Sequence, residues 1–155
     1  AKELEVFVPA GVFRSPQGVA FAADGKRVYI ADYGDGIWAV DLATGKREAV
    51  TGPPEVPLQG VDALVIHGRD LIVTQNGIAP CRVARLRLDD TGRRVVSGEI
   101  LEMNTPLLEE PTLGVVVGDD FVYVANAQWE RLDKDGKLTS EFTEPTILRV
   151  SIRPR

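Results

Sequence analysis

The chain is poor in the residues that most often mark a reaction centre. Its 155 residues include one cysteine, one histidine and one methionine. A single cysteine, Cys81, excludes an intrachain disulfide, and no residues have the spacing of zinc ligands. Basic residues are in the minority, 18 Lys and Arg against 23 Asp and Glu, for a net charge of −5. That balance argues against a nucleic-acid partner, which calls for a basic face, and equally against an anionic membrane surface. No apolar run approaches the roughly 18 residues of a membrane-spanning helix. His67 sits in a turn signal, His67-Gly68-Arg69-Asp70, and Cys81 in a loop, so both read as ordinary positions.

What the chain does have is short apolar runs punctuated by turn residues. Gly18–Ala23 is followed by Asp24-Gly25, a tight-turn pair in which Gly accepts positive φ and Asp bonds its own backbone. Arg27–Asp32, Ile37–Asp41 and Arg47–Thr51 complete four short strands. The unit recurs. Val28-Tyr29-Ile30-Ala31-Asp32 is echoed by Leu71-Ile72-Val73-Thr74-Gln75 and by Val122-Tyr123-Val124-Ala125-Asn126. Ile37–Val40 is echoed by Val83–Leu86 and Ile147–Val150, and Gly18, Ala63 and Gly114 stand at one place in the three copies. The period is about 45–50 residues, the range of four-stranded propeller blades.

The pattern therefore predicts an all-β fold, a β-propeller in preference to a β-sandwich or another meander. Three four-stranded antiparallel blades are expected at residues 17–51, 61–102 and 112–152, the third lacking its outer strand. Residues 3–8 alternate polar and apolar residues and read as the outer strand of a preceding blade. Residues 128–145 form a polar insertion, with Asp135-Gly136 expected at its tip. Closed propellers have four to eight blades, and a three-blade arc leaves edges and faces open. The expectation is a single partial domain over residues 1–155, half of a six-bladed ring. Its partner would be an N-terminal half or a second copy.

In such a blade, first-strand starts and second-strand ends meet at one mouth of the channel. The residues at those places are Gln17, Asp62, Thr112, Asp32, Gln75, Asn76 and Asn126. They offer carboxylates, amides and a hydroxyl, hard oxygen donors suited to calcium or magnesium rather than zinc. Asp and Asn at strand ends also cap backbone groups, and Gln75-Asn76-Gly77 reads equally as a turn. Asp62 has no turn signal beside it, which singles it out. Trp129 could flank a ligand, whereas Trp38 reads as core between blades.

The three blade starts resemble, in order, the last part of the gluconolactonase/regucalcin-like six-bladed propellers, a superfamily that also contains strictosidine-synthase-like and paraoxonase-like proteins. Pro16-Gln17-Gly18 is similar to the family's Pro-Asn-Gly, Val61-Asp62-Ala63 to its Pro-Asp-Gly, and Pro111-Thr112 to its Pro-Thr-Ser. The family holds a divalent metal, calcium or zinc, at the channel mouth. An Asn and an Asp from successive blade starts help hold it, with a Glu from the first blade. The resemblance implies Asp62 as metal ligand and general base, with Gln17, one carbon longer than the family's Asn, as a second ligand. Asn126, on the same mouth, is the third. Asp32, Gln75, Asn76 and Thr112 would meet a small-molecule substrate. The implied function is a metal-dependent hydrolase of lactone or ester type, with calcium as the expected metal. The alternative is a non-catalytic propeller scaffold that binds a protein or a ligand.

Overall fold

A computed structural model describes residues 3–153. The strands are β1 (Pro16–Phe21), β2 (Arg27–Asp32), β3 (Gly36–Asp41), β4 (Arg47–Ala49), β5 (Val61–His67), β6 (Asp70–Gln75), β7 (Arg82–Leu88), β8 (Val95–Met103), β9 (Gly114–Val117), β10 (Asp120–Val124) and β11 (Ile147–Ser151). They form three antiparallel meanders, β1-β2-β3-β4, β5-β6-β7-β8 and β9-β10-β11. Among the described residues there is no α-helix, only a 3₁₀ turn at Trp129–Arg131. Among these residues no helix is long and apolar enough to cross a membrane.

Tight turns close the hairpins as their residues dictate. Gly25, Gly68 and Gly118 each adopt positive φ between an inner strand and its neighbour. In the first sheet the register places Ala20, Tyr29 and Ala39 in one row and Phe21, Val28 and Val40 in the next. The first row packs against the second sheet, in one cluster with Leu64, Leu71, Val73, Ala84 and Leu86. A second cluster joins Ile72 and Val83 to Phe121, Tyr123 and Ile152 of the third sheet. Each sheet thus meets the next face to face, and the second is covered on both sides.

The inner strands set the spacing at the axis. β1 lies against β5, and β5 against β9. A Cβ on Gly18 would come within 2.5 Å of Leu64 N and 2.8 Å of Asp62 O, so only glycine permits this approach. Tyr29 reaches from the first sheet to the second sheet's turn, its hydroxyl donating to Gly92 O at 2.8 Å. Arg85 of β7, 6% exposed, donates to the carbonyl of Ile152 and so ties the third sheet to the second.

One expectation needs correction. Residues 3–8 form no strand; Leu4 and Val6 are fully or almost fully exposed. A strand exists only where a neighbouring ladder accepts its backbone, and these residues have no such ladder beside them. Trp38 does not face the second sheet. It lies on the opposite face, its ring 4.1 Å below the Arg47 guanidinium and edge-on to Phe13 at 6.5 Å.

Candidate functional site

Asp62 owes its position to a bulge. In β5, Val61 pairs with Gln75 and Leu64 with Val73, so Asp62 and Ala63 together face Thr74. The amide freed at Ala63 donates to the Thr74 hydroxyl at 2.8 Å, which satisfies it inside the core. β1 carries the same irregularity, with Gln17 and Gly18 between the Pro16–Asp32 and Val19–Ile30 pairs. A bulge bends the strand and re-aims its side chains. Here it does so at the same place in two successive sheets.

Both side chains line one cleft of about 480 Å³, together with Tyr33, Asn76, Glu110, Thr112, Leu113 and Trp129. Its floor is a hydrogen-bonded chain. The Tyr33 hydroxyl donates to Asn76 Oδ1 at 2.8 Å, and Asn76 Nδ2 donates to Asp62 Oδ2 at 2.7 Å. Thr112 Oγ1 donates to the same Asp62 oxygen at 3.0 Å. Asn76 Nδ2 also reaches the carbonyl of Pro111 at 3.0 Å, joining the second sheet to the approach of the third. The Asp62 carboxylate is therefore fixed through one oxygen, and Asp62 is only half-buried. Gln17 is exposed, its amide nitrogen donating to Ser15 Oγ at 3.2 Å.

Glu110 forms the far wall. Its Oε2 accepts the Trp129 amide at 2.7 Å. Burial pushes its carboxyl above the ordinary glutamate range; Glu130 and Asp62 push the same way, and the Trp129 amide pulls against them. Burial, then the charges of Asp62 and Glu110, raise the Tyr33 hydroxyl as well.

Of the seven residues expected at this mouth, the cleft brings together four: Gln17, Asp62, Asn76 and Thr112. The other three, Asp32, Gln75 and Asn126, are corrected to a structural place. Each is buried and spends its polar atoms inside the fold, mostly on backbone. Asp32 accepts the amides of Arg14 and Ser15, both at 2.8 Å. Gln75 donates to the carbonyls of Pro57 and Gln59 at 3.0 and 2.9 Å and accepts from Arg82 Nε at 2.9 Å. Asn126 accepts the Thr146 amide at 2.7 Å and donates to Glu144 O at 3.1 Å. They fasten incoming segments to the ends of second strands, which is what buried short polar side chains at such ends must do.

Sequence reasoning passed over Tyr33 and Glu110. Both carried a positional signal: Tyr33 follows Asp32 as Asn76 follows Gln75, and Glu110 precedes Pro111 as Ser15 precedes Pro16.

Metal chemistry can be judged from the donors. The cleft is oxygen-lined, which suits a hard cation, but calcium takes six to eight oxygens. Asn76 Oδ1 and Asp62 Oδ2 are already engaged. Among the described residues no three His, Cys, Asp or Glu side chains converge as a metal-binding group. These residues fit a calcium ion in kind, and in number only as part of its shell.

The architecture has clear counterparts among solved structures. The PQQ-bound aldose sugar dehydrogenase of Streptomyces coelicolor superposes with a TM-score of 0.63 at 17% identity, over 96% of this chain and 47% of that one. The calcium-binding protein regucalcin of Agrobacterium tumefaciens gives 0.52 at 19% identity, over 91% and 48%. A chain of a nidogen/laminin complex gives 0.54 at 14% identity, over 80% and 59%. The fold is a partial β-propeller. The three sheets are its blades, and the resemblance to regucalcin-like proteins read from the blade starts is met at the level of fold. The propeller chain spans about half the length of the solved structures it matches. Neither a family model nor a curated protein sequence matches it.

Proposed function

We propose that the chain supplies three blades of a propeller hydrolase acting on a lactone or ester, with Asp62 as the reactive carboxylate. One observation supports this most directly. Asp62 stands in an inner-strand bulge with one oxygen pinned by Asn76 and Thr112 and its side chain lining an open, oxygen-rich cleft. An oriented carboxylate of this kind can take a proton from water as it attacks a carbonyl. Asn76 and Thr112 hold that carboxylate, and Tyr33 holds Asn76. Glu110 and Trp129 wall one side of the cleft.

Asp62 and Gln17 would hold a calcium ion, with the remaining oxygens coming from the rest of the ring. Such an ion would polarise the carbonyl and stabilise the developing oxyanion. The rest of the ring would be an N-terminal half or a second copy, and the ligand a small molecule. The test is calcium titration by calorimetry and a lactone panel on the whole protein, beside Asp62→Asn. Binding and turnover, both lost in the variant, are the expected result; neither in the parent protein would end the reading.

A second reading is a scaffold that binds a partner without catalysis. It is favoured by Asp32, Gln75 and Asn126, whose polar atoms are spent inside the fold at the blade ends, mostly on backbone, and by the match to a chain of a nidogen/laminin complex. Calcium binding without turnover of any ester or lactone would support it.

A further inference from the structure

We propose that Trp129 and Leu113 form an apolar rim over the polar cleft, and that this rim selects uncharged substrates carrying a flat or apolar group beside the reacting carbonyl. The proposal deepens, and rests on, the hydrolase reading of the same cleft. Both side chains line it, and both are largely in water, Trp129 at 67% and Leu113 at 65% exposed. Exposure of single apolar residues is ordinary by itself. The mounting of Trp129 is not.

Gln128, just before it, holds a left-handed backbone (φ 64°) although it is not glycine, and it is buried. That conformation is uncommon and costly for a residue with a Cβ, and it persists only where the surroundings impose it. Here the Gln128 amide clasps the far end of the insertion. Its Oε1 accepts the Thr143 amide at 2.8 Å and its Nε2 donates to Thr143 O at 3.1 Å. Glu110 takes the Trp129 amide, and Arg131 donates to the carbonyl of Glu141. The insertion is thus tied at both ends, and it presents one indole to the cleft from a fixed backbone.

Charge gives the second half of the inference. Among the described residues no Lys, Arg or His lines the cleft, while Asp62 and Glu110 do. With a calcium ion on Asp62 and Gln17, Glu110, which takes the Trp129 amide, would be the charge beside the indole, and an anionic group there would meet a carboxylate. An uncharged substrate would meet no such charge: its carbonyl would turn to Asp62 and Gln17, since the Tyr33, Asn76 and Thr112 donors are already spent, with its ring or apolar group against the indole.

The test uses the whole protein and three probes: γ-butyrolactone, its γ-phenyl derivative, and a carboxylated form of that derivative. Binding is followed by indole fluorescence and calorimetry, and turnover by acid release. The phenyl lactone should bind about tenfold more tightly than the plain one, the scale of an aromatic contact. It should quench fluorescence that Trp129→Phe alters. Trp129→Ala should bring the two lactones within about twofold of each other, and Trp129→Phe should keep most of the preference. Equal binding by the parent protein, a preference that survives Trp129→Ala, or tighter binding of the carboxylated probe would each overturn the rim. Selective binding without turnover supports the rim and overturns the hydrolase reading. Turnover without selectivity does the reverse. No binding of any probe overturns both.

Discussion

Asp62 has one oxygen committed to Asn76 and Thr112, so replacing it tests charge apart from shape. Asp62→Asn keeps the volume and can still accept the Thr112 hydroxyl. Turnover of a lactone should fall by roughly two orders of magnitude, the scale of a lost general base, while the denaturation midpoint changes little. Steady-state rates beside a urea titration separate the two. Glu110 makes a different prediction. Burial holds its carboxyl above the ordinary value of 4.5, so the folded chain keeps this proton longer than the unfolded one. As pH rises from that value to the folded one, unfolding releases a proton, and the Glu110 contribution to stability falls. Glu110→Gln removes the fall and can still accept the Trp129 amide. Denaturant titrations at pH 4 and pH 7 should show the variant gaining on the parent protein between the two. A constant difference would show that Glu110 does not titrate this way.

At the scale of elements, blade contacts rest on close backbone approach and on single crossing side chains. Gly18 lies so near Leu64 N and Asp62 O that an added methyl forces β1 from β5. Gly18→Ala should cost about 3 kcal/mol, the upper range for overpacking, read as a shift in urea midpoint. It should also weaken function, because β1 carries Gln17 and the strand it is forced from carries Asp62. Arg85 joins the second and third blades by its bond to the Ile152 carbonyl, and contacts Glu99 at 3.0 Å. Arg85→Ala leaves buried acceptors without their donor and should cost about 3 kcal/mol. Amide exchange should show the loss first in β11.

On the scale of the whole molecule, both ends of the arc expose apolar side chains. In the first blade Val19 and Phe21 lie on the face turned away from the second blade, in rows whose Val28 and Val40 are buried. Phe21 is 63% exposed there. In the third blade Val115 and Val122 share a row, as do Val124 and Ile147, and Val117 is 61% exposed. Faces of this kind mark association surfaces or aggregation liabilities. Residues 1–155 expressed alone should run larger than a monomer in light scattering and bind a hydrophobic dye. Phe21→Lys with Val117→Lys should reduce both. A monodisperse monomer at high concentration would show that the faces need no cover.

Local patterns were enough to read the strands, the turns and the threefold repeat. Alternating apolar runs, Asp-Gly and Thr-Gly pairs and a regular spacing act within a few residues of themselves. The repeat then narrows the architecture to blades around an axis. The same patterns picked out Asp62, because a carboxylate at an inner-strand start has no local turn to serve. They could not tell Asn76 from Gln75, adjacent amides at one strand end. Packing sends Gln75 inward to the Pro57 and Gln59 carbonyls and leaves Asn76 beside Asp62. Nor could they assign residues 3–8, since a strand needs a partner edge that those residues do not carry. The bulges that aim Gln17 and Asp62, and the insertion that brings Trp129 and Glu110 together, arise from pairings between distant segments. Only the tertiary structure decides those, because a hydrogen-bond register belongs to two strands at once and is written in neither.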